Sequence, residues 1–289
     1  MRALVAGATG YLGRYVVRAF KERGWWVRAL VRDPGKLDRP GPFLEPAVRR
    51  CADDVFVGEV TRPETLEGVC DDVDVAFSSV GITRQREGFT FRDVDYRGNL
   101  NLLERARGAG VRKFVYVSVF NAHRYEHLAI IRAHEDFVRA LRDSGLPYTV
   151  VRPTGYFSDM SEFLGMARRG FVALIGSGEN RLNPIHGADL AEVCAEAVES
   201  AEREIPVGGP EVFSQNEIAA LAFAVLGRKP RILHIPPILA RGVVSLVRPF
   251  DRQLSDLLDF FVTAGQGEGI APARGEHRLR DYFREMASR

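Results

Sequence analysis

Between residues 118 and 137 the chain reads SVFNAHRYEHLAIIRAHEDF, a span that holds Ser118, Tyr125, His127 and His134. These are groups that move protons: a phenol serves as a general acid, an imidazole titrates near neutral pH, and a hydroxyl positions or polarises an oxygen. A second set, near the N-terminus, is suited to phosphate. The segment GATGYLG places Gly7, Gly10 and Gly13 at three-residue intervals, with Thr9, Tyr11 and Leu12 among them. Glycines so spaced permit positive φ and very close backbone approach, so that the amides and dipole of a helix N-terminus meet a pyrophosphate. The Thr9 hydroxyl would add a donor. Glycine-rich turns also close strands for structural reasons alone; here the turn lies between an apolar strand and an amphipathic helix, the context that a dinucleotide fingerprint requires.

The choice of dinucleotide is read at the end of the second strand, where an acid would accept hydrogen bonds from the adenosine ribose. In RALVRDPGKL that place falls to Arg32. A guanidinium is permanently charged and bonds two oxygens at once, which suits a 2′-phosphate. Arg14 and Lys36 could join it. NADP(H) is therefore the expected cofactor, with NAD(H) as the alternative, because a one-residue shift would bring the Asp33 carboxylate to the ribose.

The elements that must carry these residues alternate, short apolar runs with helix-length amphipathic segments, as in a parallel sheet covered on both faces. Strands are expected at RALVAG, WWVRALV, DVFVGEV, VDVAFSSVG, RKFVYVSV and LPYTVVRP, the last stopped by Pro153. A helix follows the glycine turn with Leu12, Val16, Ala19 and Phe20 on one face and Gly24 as its stop. A polar loop, ITRQREGFT, precedes the helix FRDVDYRGNLNLLERARGAG, and LAIIRAHEDFVRALRDSG forms the next. After Pro153 the rhythm changes to a mainly helical finish. The expected fold is α/β, a Rossmann-type doubly wound parallel sheet with a small, mainly helical C-terminal annex. Residues 1–155 form the dinucleotide-binding core and 156–289 the substrate-side annex, with parts of 170–205 returning to the sheet.

The 289 residues suffice for one sizeable core, and a formal net charge of +2 gives no broad electrostatic case for nucleic acid. Cys51, Cys70 and Cys194 show no metal-ligand spacing, so reduced, partly buried thiols are expected. No apolar stretch reaches the length of a membrane span, and no cleavable leader is evident, which points to a cytoplasmic protein with a small-molecule substrate. A homo-oligomer is left open.

In their order, GATGYLG, LVRDPGKL, VGEVTRPETL, DVDYRGNLNLLERARGAGVRKFVYVS, SGLPYTVVRPTGYFSDM and NPIHGADLAEV resemble the atypical short-chain dehydrogenases/reductases of the NmrA-like and isoflavone-reductase-like kind. Divinyl chlorophyllide vinyl reductases and complex I-associated subunits have related N-terminal halves. The resemblance spans roughly residues 1 to 200 and is looser beyond. It implies that Glu59 and Val60 lie by the adenine and that Ser78, Ser79 and Gly81 line the adenosine and diphosphate side. It implies that Asn99 orders the sheet edge and that Ser118 matches an active-site serine. It also implies that Arg152, Pro153 and Thr154 close over the nicotinamide and that GYFSDM begins a substrate pocket. Ser118 as a simple strand-end cap is the alternative, and Asn99 reads better as structural than as catalytic.

One family feature is missing. The usual proton donor is a tyrosine whose pKa is lowered by a lysine four residues on. The only lysines are Lys21, Lys36, Lys113 and Lys229; Tyr125 is followed at that spacing by Ala129, and Tyr148 by Arg152. Counting back from SGLPYTVVRP, the lysine position falls on Arg132 or His134. Arg132 could anchor ribose or phosphate but holds its proton too tightly for an acid. His134, Tyr125, His127 and Tyr156 are the candidate acids, His134 being either ribose-facing or simply exposed or packed near Phe137.

Two readings follow. One is an NADP-dependent reductase of a small, largely apolar carbonyl or conjugated alkene, enclosed by residues such as Tyr156, Phe157, Met160 and Leu164, some of which pack equally well as core. The other is a non-catalytic NAD(P)H-binding redox sensor or complex-assembly protein. An isomerase or epimerase is disfavoured, since it needs the missing acid/base. His186 is expected where loops gather, and Asp189 as an N-terminal helix charge.

Overall fold

The computed structural model describes residues 1–82, 88–264 and 267–289, so residues 83–87 of the polar loop expected after the fourth strand lie outside the described residues. The Cα framework forms two compact units, Met1–Arg152 with Leu190–Ile205, and Pro153–Asp189 with Pro206–Arg289.

The first unit begins with β1 (Arg2–Ala6), α1 (Tyr11–Glu22), β2 (Trp26–Val31), β3 (Asp54–Val57) and β4 (Val75–Ser78). It continues through α2 (Asn99–Gly108), β5 (Lys113–Val117), α3 (Ala129–Asp143) and β6 (Tyr148–Pro153). The strand order in the seven-stranded sheet is β3-β2-β1-β4-β5-β6 and then β9 (Glu204–Val207). The pairings from β3 through β6 are parallel, with Ala6 opposite Leu30 on one side and Ser78 on the other. This is the Rossmann-type doubly wound α/β sheet that the alternation of elements predicts.

Parallel strands are covered on both faces, which is why β1 and β4 read as nearly continuous apolar runs. Leu4, Ala76, Phe114, Tyr116 and Val150 project into one core with Leu102, Phe137 and Leu141 from α2 and α3. Helix α1 buries Leu12, Val16, Ala19 and Phe20 as expected, and Gly24 closes it at φ +74°. The amides of Gly24 and Trp25 return to the Lys21 and Phe20 carbonyls, satisfying groups that the helix end leaves over.

One expected helix differs. FRDVDYRGNLNLLERARGAG is not uniformly α-helical: Arg92–Gly98 is a π-helical turn, and α2 starts only at Asn99. The cause lies in Asn99, whose side-chain amide takes the Asp95 carbonyl at 2.8 Å, a carbonyl that a regular α-helix assigns to the backbone. Within that turn the Asp95 side chain is fully buried.

The second unit contains α4 (Phe157–Arg169), β7 (Val172–Ile175), β8 (Arg181–Leu182) and the start of α5 (Gly187–Glu199). After β9 come β10 (Phe213–Ser214), α6 (Gln215–Val225), β11 (Ile232–Ile235), α7 (Pro237–Val247), α8 (Arg252–Ala264) and α9 (Leu279–Ser288). Strands β7 and β11 form a separate two-stranded parallel sheet; within 170–205, β9 at the far end is what joins the large sheet. Buried Asn183 knots the unit, donating to the Gly209 and Ala271 carbonyls and accepting the Ala271 amide. Among the described residues no helix is long and apolar enough to cross a membrane.

Candidate functional site

A doubly wound sheet opens a crevice outside the carboxyl ends of the two strands where its order reverses, here β1 and β4. The glycine turn lies at that point. Gly7 has φ +85°, and a Cβ there would come within 2.9 Å of the Ser79 hydroxyl, which follows β4. A Cβ on Gly13 would collide with the Gly7 carbonyl oxygen. The first glycine thus allows the turn, and the third lets α1 press onto it. Gly10 is the N-cap of α1; no side chain caps this helix end and no acid lies in its first turn. The side chain of Leu12 is buried, so the α1 start meets the crevice through backbone and Thr9. An uncapped helix N-terminus over a Cβ-free turn fits the diphosphate of a dinucleotide.

At the end of β2, the exposed Arg32 guanidinium lies 3.4 Å from the Glu59 carboxylate. Such a pair in water is weak and does not hold Arg32 away from another anion. Asp33 is committed differently: it caps the following 3-10 turn by accepting the Gly35 amide at 3.0 Å. Val60, buried, underlies this edge against Gly98. Arg14 does not join Arg32. Its guanidinium is buried and donates to the carbonyls of Thr9, Lys36, Arg39 and Pro46, at 2.5 to 3.1 Å. Burial, partly offset by Glu45, lowers its pKa. Arg14 is the clasp that fixes the loop after β2.

The residues after β4 divide by role. The Ser78 hydroxyl is fully buried and donates to Asn99 Oδ1 at 2.5 Å, while Asn99 donates to the Val80 carbonyl. Ser78 and Asn99 therefore shape the turn from beneath; Ser79 and Gly81 are its accessible part.

Below Gly81 lies an arrangement that sequence reasoning missed. His134 Nε2 is 3.1 Å from Asp95 Oδ1, and Nδ1 is 2.5 Å from the Tyr116 hydroxyl. Asp95 and Tyr116 are both fully buried. Burial raises the Asp95 carboxyl pKa against the opposing pull of His134. Both imidazole nitrogens are thus engaged within the protein, whichever tautomer is present. His134 is neither exposed nor merely packed on Phe137; it joins α3 to β5 and to the π-helical turn. A Cβ on Gly81 would reach Asp95 Oδ1 at 3.0 Å and His134 Cε1 at 3.4 Å, so this trio supports the turn after β4. The polar signal was present in Asp95, which lies buried in the π-helical turn.

Ser118, at the end of β5, belongs to a second buried network. Its hydroxyl donates to Glu135 Oε1 at 2.7 Å, and Arg152 grips both oxygens of Glu135 at 2.7 and 3.0 Å. Arg152 also bonds Glu204 at 2.8 Å, tying β6 to β9. Burial alone would raise the Glu135 carboxyl pKa, but the hydrogen bonds and charge of Arg152, with the Ser118 hydroxyl, hold it below its ordinary value. Burial opposes the Arg152 charge too, yet its two carboxylates push its pKa upward. With its proton given to Glu135 and only 4% of its surface exposed, Ser118 serves the strand-end arrangement first.

Arg132, expected as an anchor, instead binds the carbonyls of Glu126 and His127 and organises the loop entering α3. Tyr125 ends the short 3-10 turn before it, part-exposed, its amide bonded to Ala122. Pro153 is buried at the end of β6.

In the second unit, Phe157 is buried between His186 and Tyr282, and Met160 and Leu164 are also core. These residues belong to the core of the unit, while Tyr156, Phe163 and Met166 are part-exposed. His186 stacks on His277 at 4.1 Å, and His277 Nδ1 meets Asp189 at 2.8 Å. The Asp189 carboxylate also accepts the His277 amide, so it fastens the segment before α9. Cys70 and Cys194 are buried, and burial pushes the Cys70 thiol up to about 12, which keeps it inert.

Sheet order, glycine turn and uncapped helix define a dinucleotide-binding α/β protein. The chain belongs to the family described as NAD(P)H-binding, whose profile matches residues 7–201, and the resemblance to atypical short-chain dehydrogenases/reductases holds. It is 28% identical over 276 residues to the photosystem II assembly factor Ycf39 of Synechocystis, covering 93% of this chain and 82% of that protein. It is 32% identical over 248 residues to the chloroplastic divinyl chlorophyllide a 8-vinyl-reductase of Oryza sativa, covering 81% of this chain and 60% of that protein. Among solved structures, the NADPH-dependent quinone oxidoreductase QOR2 of Escherichia coli, complexed with NADPH, has the same fold. It matches with a TM-score of 0.72 at 19% identity, covering 99% of this chain and all of that one (100%).

Proposed function

We propose that the chain is an NADP-dependent reductase that delivers hydride to a small, largely apolar, conjugated acceptor, a carbonyl or an activated alkene. In this reading the backbone from Gly7 to Gly13, with Thr9, Tyr11 and Leu12, holds the diphosphate. Arg32 takes the 2′-phosphate, Glu59 and Val60 border the adenine, and Ser79 and Gly81 line the far side of the crevice. Pro153 ends the strand that borders the nicotinamide side. The preference for NADP(H) is supported by the division of labour after β2: Arg32 is exposed, while the Asp33 carboxylate is occupied by its own turn.

The bound cofactor supplies the hydride. The observation that carries the choice of acceptor is the engagement of both His134 nitrogens by Asp95 and Tyr116. A histidine so held orients and supports; it does not hand a proton outward. Ser118 is similarly committed to Glu135. An acceptor that spreads the incoming electron pair over a conjugated system needs no protein acid at the moment of transfer and takes its proton from water afterwards. Tyr125 and the exposed His127 are the candidate acids that remain in the stretch. Similarity to a vinyl-reductase and a quinone oxidoreductase favours this acceptor class.

The test is NADPH oxidation across quinones, enones and simple aldehydes. Turnover restricted to conjugated acceptors supports the proposal; turnover of simple aldehydes at equal rates would require a protein acid and sink it. A second reading, a nucleotide-binding assembly protein, is favoured by similarity to Ycf39 along 93% of the chain. Tight NADPH binding without consumption on any acceptor would select it.

A further inference from the structure

The second unit carries a feature that cofactor binding does not use. Helix α7 has no buried residue among its eleven. Leu239, Val243, Leu246 and Phe250 are 62%, 53%, 73% and 88% exposed. They stand at i, i+4, i+7 and i+11, so they form one stripe down the helix and its C-terminal extension. Scattered exposed apolar side chains are ordinary, whereas a continuous stripe marks a surface that something covers.

The charge around it narrows what that is. Between Glu217 and Asp251 there is no acidic residue, while Arg228, Lys229, Arg231, Arg241 and Arg248 are basic. Arg241 and Arg248, both exposed, are two turns apart and share the side of α7 away from the stripe. Because the two arginines lie on the face opposite the stripe, they stay in contact with the aqueous side when the stripe is covered, and no acid lies within α7 itself to offset them. The combination of an apolar stripe, an arginine face and no acid is that of a helix lying within the headgroup layer of a bilayer.

We propose that α7 docks the protein onto the surface of an anionic membrane. The Leu239–Val243–Leu246–Phe250 stripe enters the acyl boundary, and Arg241 and Arg248 extend their stems to keep their charges among the lipid phosphates. The mode is peripheral, consistent with the lack of any spanning helix among the described residues.

The experiment is co-sedimentation of the intact protein with vesicles of phosphatidylcholine alone, and of phosphatidylcholine and phosphatidylglycerol in equal parts. Binding only to the phosphatidylglycerol vesicles, weakening with salt, is the expected result. Arg241→Gln should weaken it roughly fivefold, the effect of one cation near an anionic surface. Leu239→Ser with Leu246→Ser should abolish sedimentation while NADPH binding and the thermal transition persist. No binding to either vesicle by the wild type overturns the proposal, as does binding that the serine variant retains. Concentration-dependent self-association lost in the serine variant, without lipid binding, would also overturn it and assign the stripe to a second copy.

Discussion

His134 Nε2 and Asp95 Oδ1 lie 3.1 Å apart, and the aspartate is fully buried. With the Tyr116 hydroxyl on the other nitrogen, the imidazole has partners at both ends and joins three elements under the turn that follows β4. Its place in the chain is one of the two where the family's lysine is expected; its bonding is that of a brace.

His134→Ala should therefore act on stability more than on chemistry. It leaves a buried phenol and a buried carboxyl without their partner, at a cost of about 2–3 kcal/mol. Turnover per folded molecule should change by less than roughly threefold, where loss of a general acid costs at least about a hundredfold. Thermal unfolding and kcat measured on the same sample separate the two, and a hundredfold drop in kcat would restore His134 as the acid.

Arg32→Glu reverses the charge expected at the 2′-phosphate. NADPH should bind at least about tenfold more weakly, since a charge-assisted hydrogen bond contributes roughly 1.5–3 kcal/mol. NADH should be almost unaffected. Equal losses for both, in a fluorescence titration, would remove Arg32 from the adenosine site.

Gly13→Ala places a methyl where the Gly7 carbonyl already lies. Helix α1 must move off the turn, so a loss of about 1–3 kcal/mol in stability is expected, as for other overpacked sites. Dinucleotide binding should fall with it. Gly24→Ala is the control: a Cβ there meets nothing, and its φ of +74° costs only backbone strain.

The Glu135–Arg152 pair sets an acid limit on stability. Its native carboxyl pKa lies below the ordinary value, so the unfolded chain takes up the proton first. The stabilisation is complete above the unfolded pKa of about 4.3 and is lost as pH falls through the lower native value. Glu135→Gln should unfold more easily at neutral pH by about 3 kcal/mol, because Arg152 loses its bidentate partner. The gap between variant and wild type should close in acid. Chemical denaturation at pH 7 and below pH ~4 gives both numbers; a gap that does not depend on pH would disprove the linkage.

Much of the fold is legible because its signals are local. Gly7, Gly10 and Gly13 lie in one turn, strands buried on both faces are continuous apolar runs, and Gly24 and Pro153 end the elements they follow. The expected parallel sheet follows from these. What stayed hidden depends on contacts far apart in sequence. Arg14 adjoins the glycine turn and carries the right charge for phosphate, yet its partners are the Thr9 carbonyl and carbonyls of residues 36, 39 and 46. Ser118 and Arg152 sit in family motifs, but Glu135, which unites them, is one polar residue among many on α3. Asp95 meets His134 within a π-helical turn that its helical sequence pattern does not announce. Phe157, Met160 and Leu164 have the spacing of either a pocket or a core, and hydrophobicity alone does not distinguish the two.

The Arg14 clasp has a consequence for how cofactor preference changes. Its hydrogen bonds to the loop after β2 go to the backbone oxygens of Lys36, Arg39 and Pro46, so that hold does not depend on the side chains these positions carry. The side chains of residues 32 and 36 are thereby spared the work of holding the loop and are open to exchange, whereas Asp33 still caps its turn. A lineage, or an engineer, could move such a protein from a phosphorylated to an unphosphorylated dinucleotide by side-chain replacement alone, with the scaffold held constant by an arginine that touches neither.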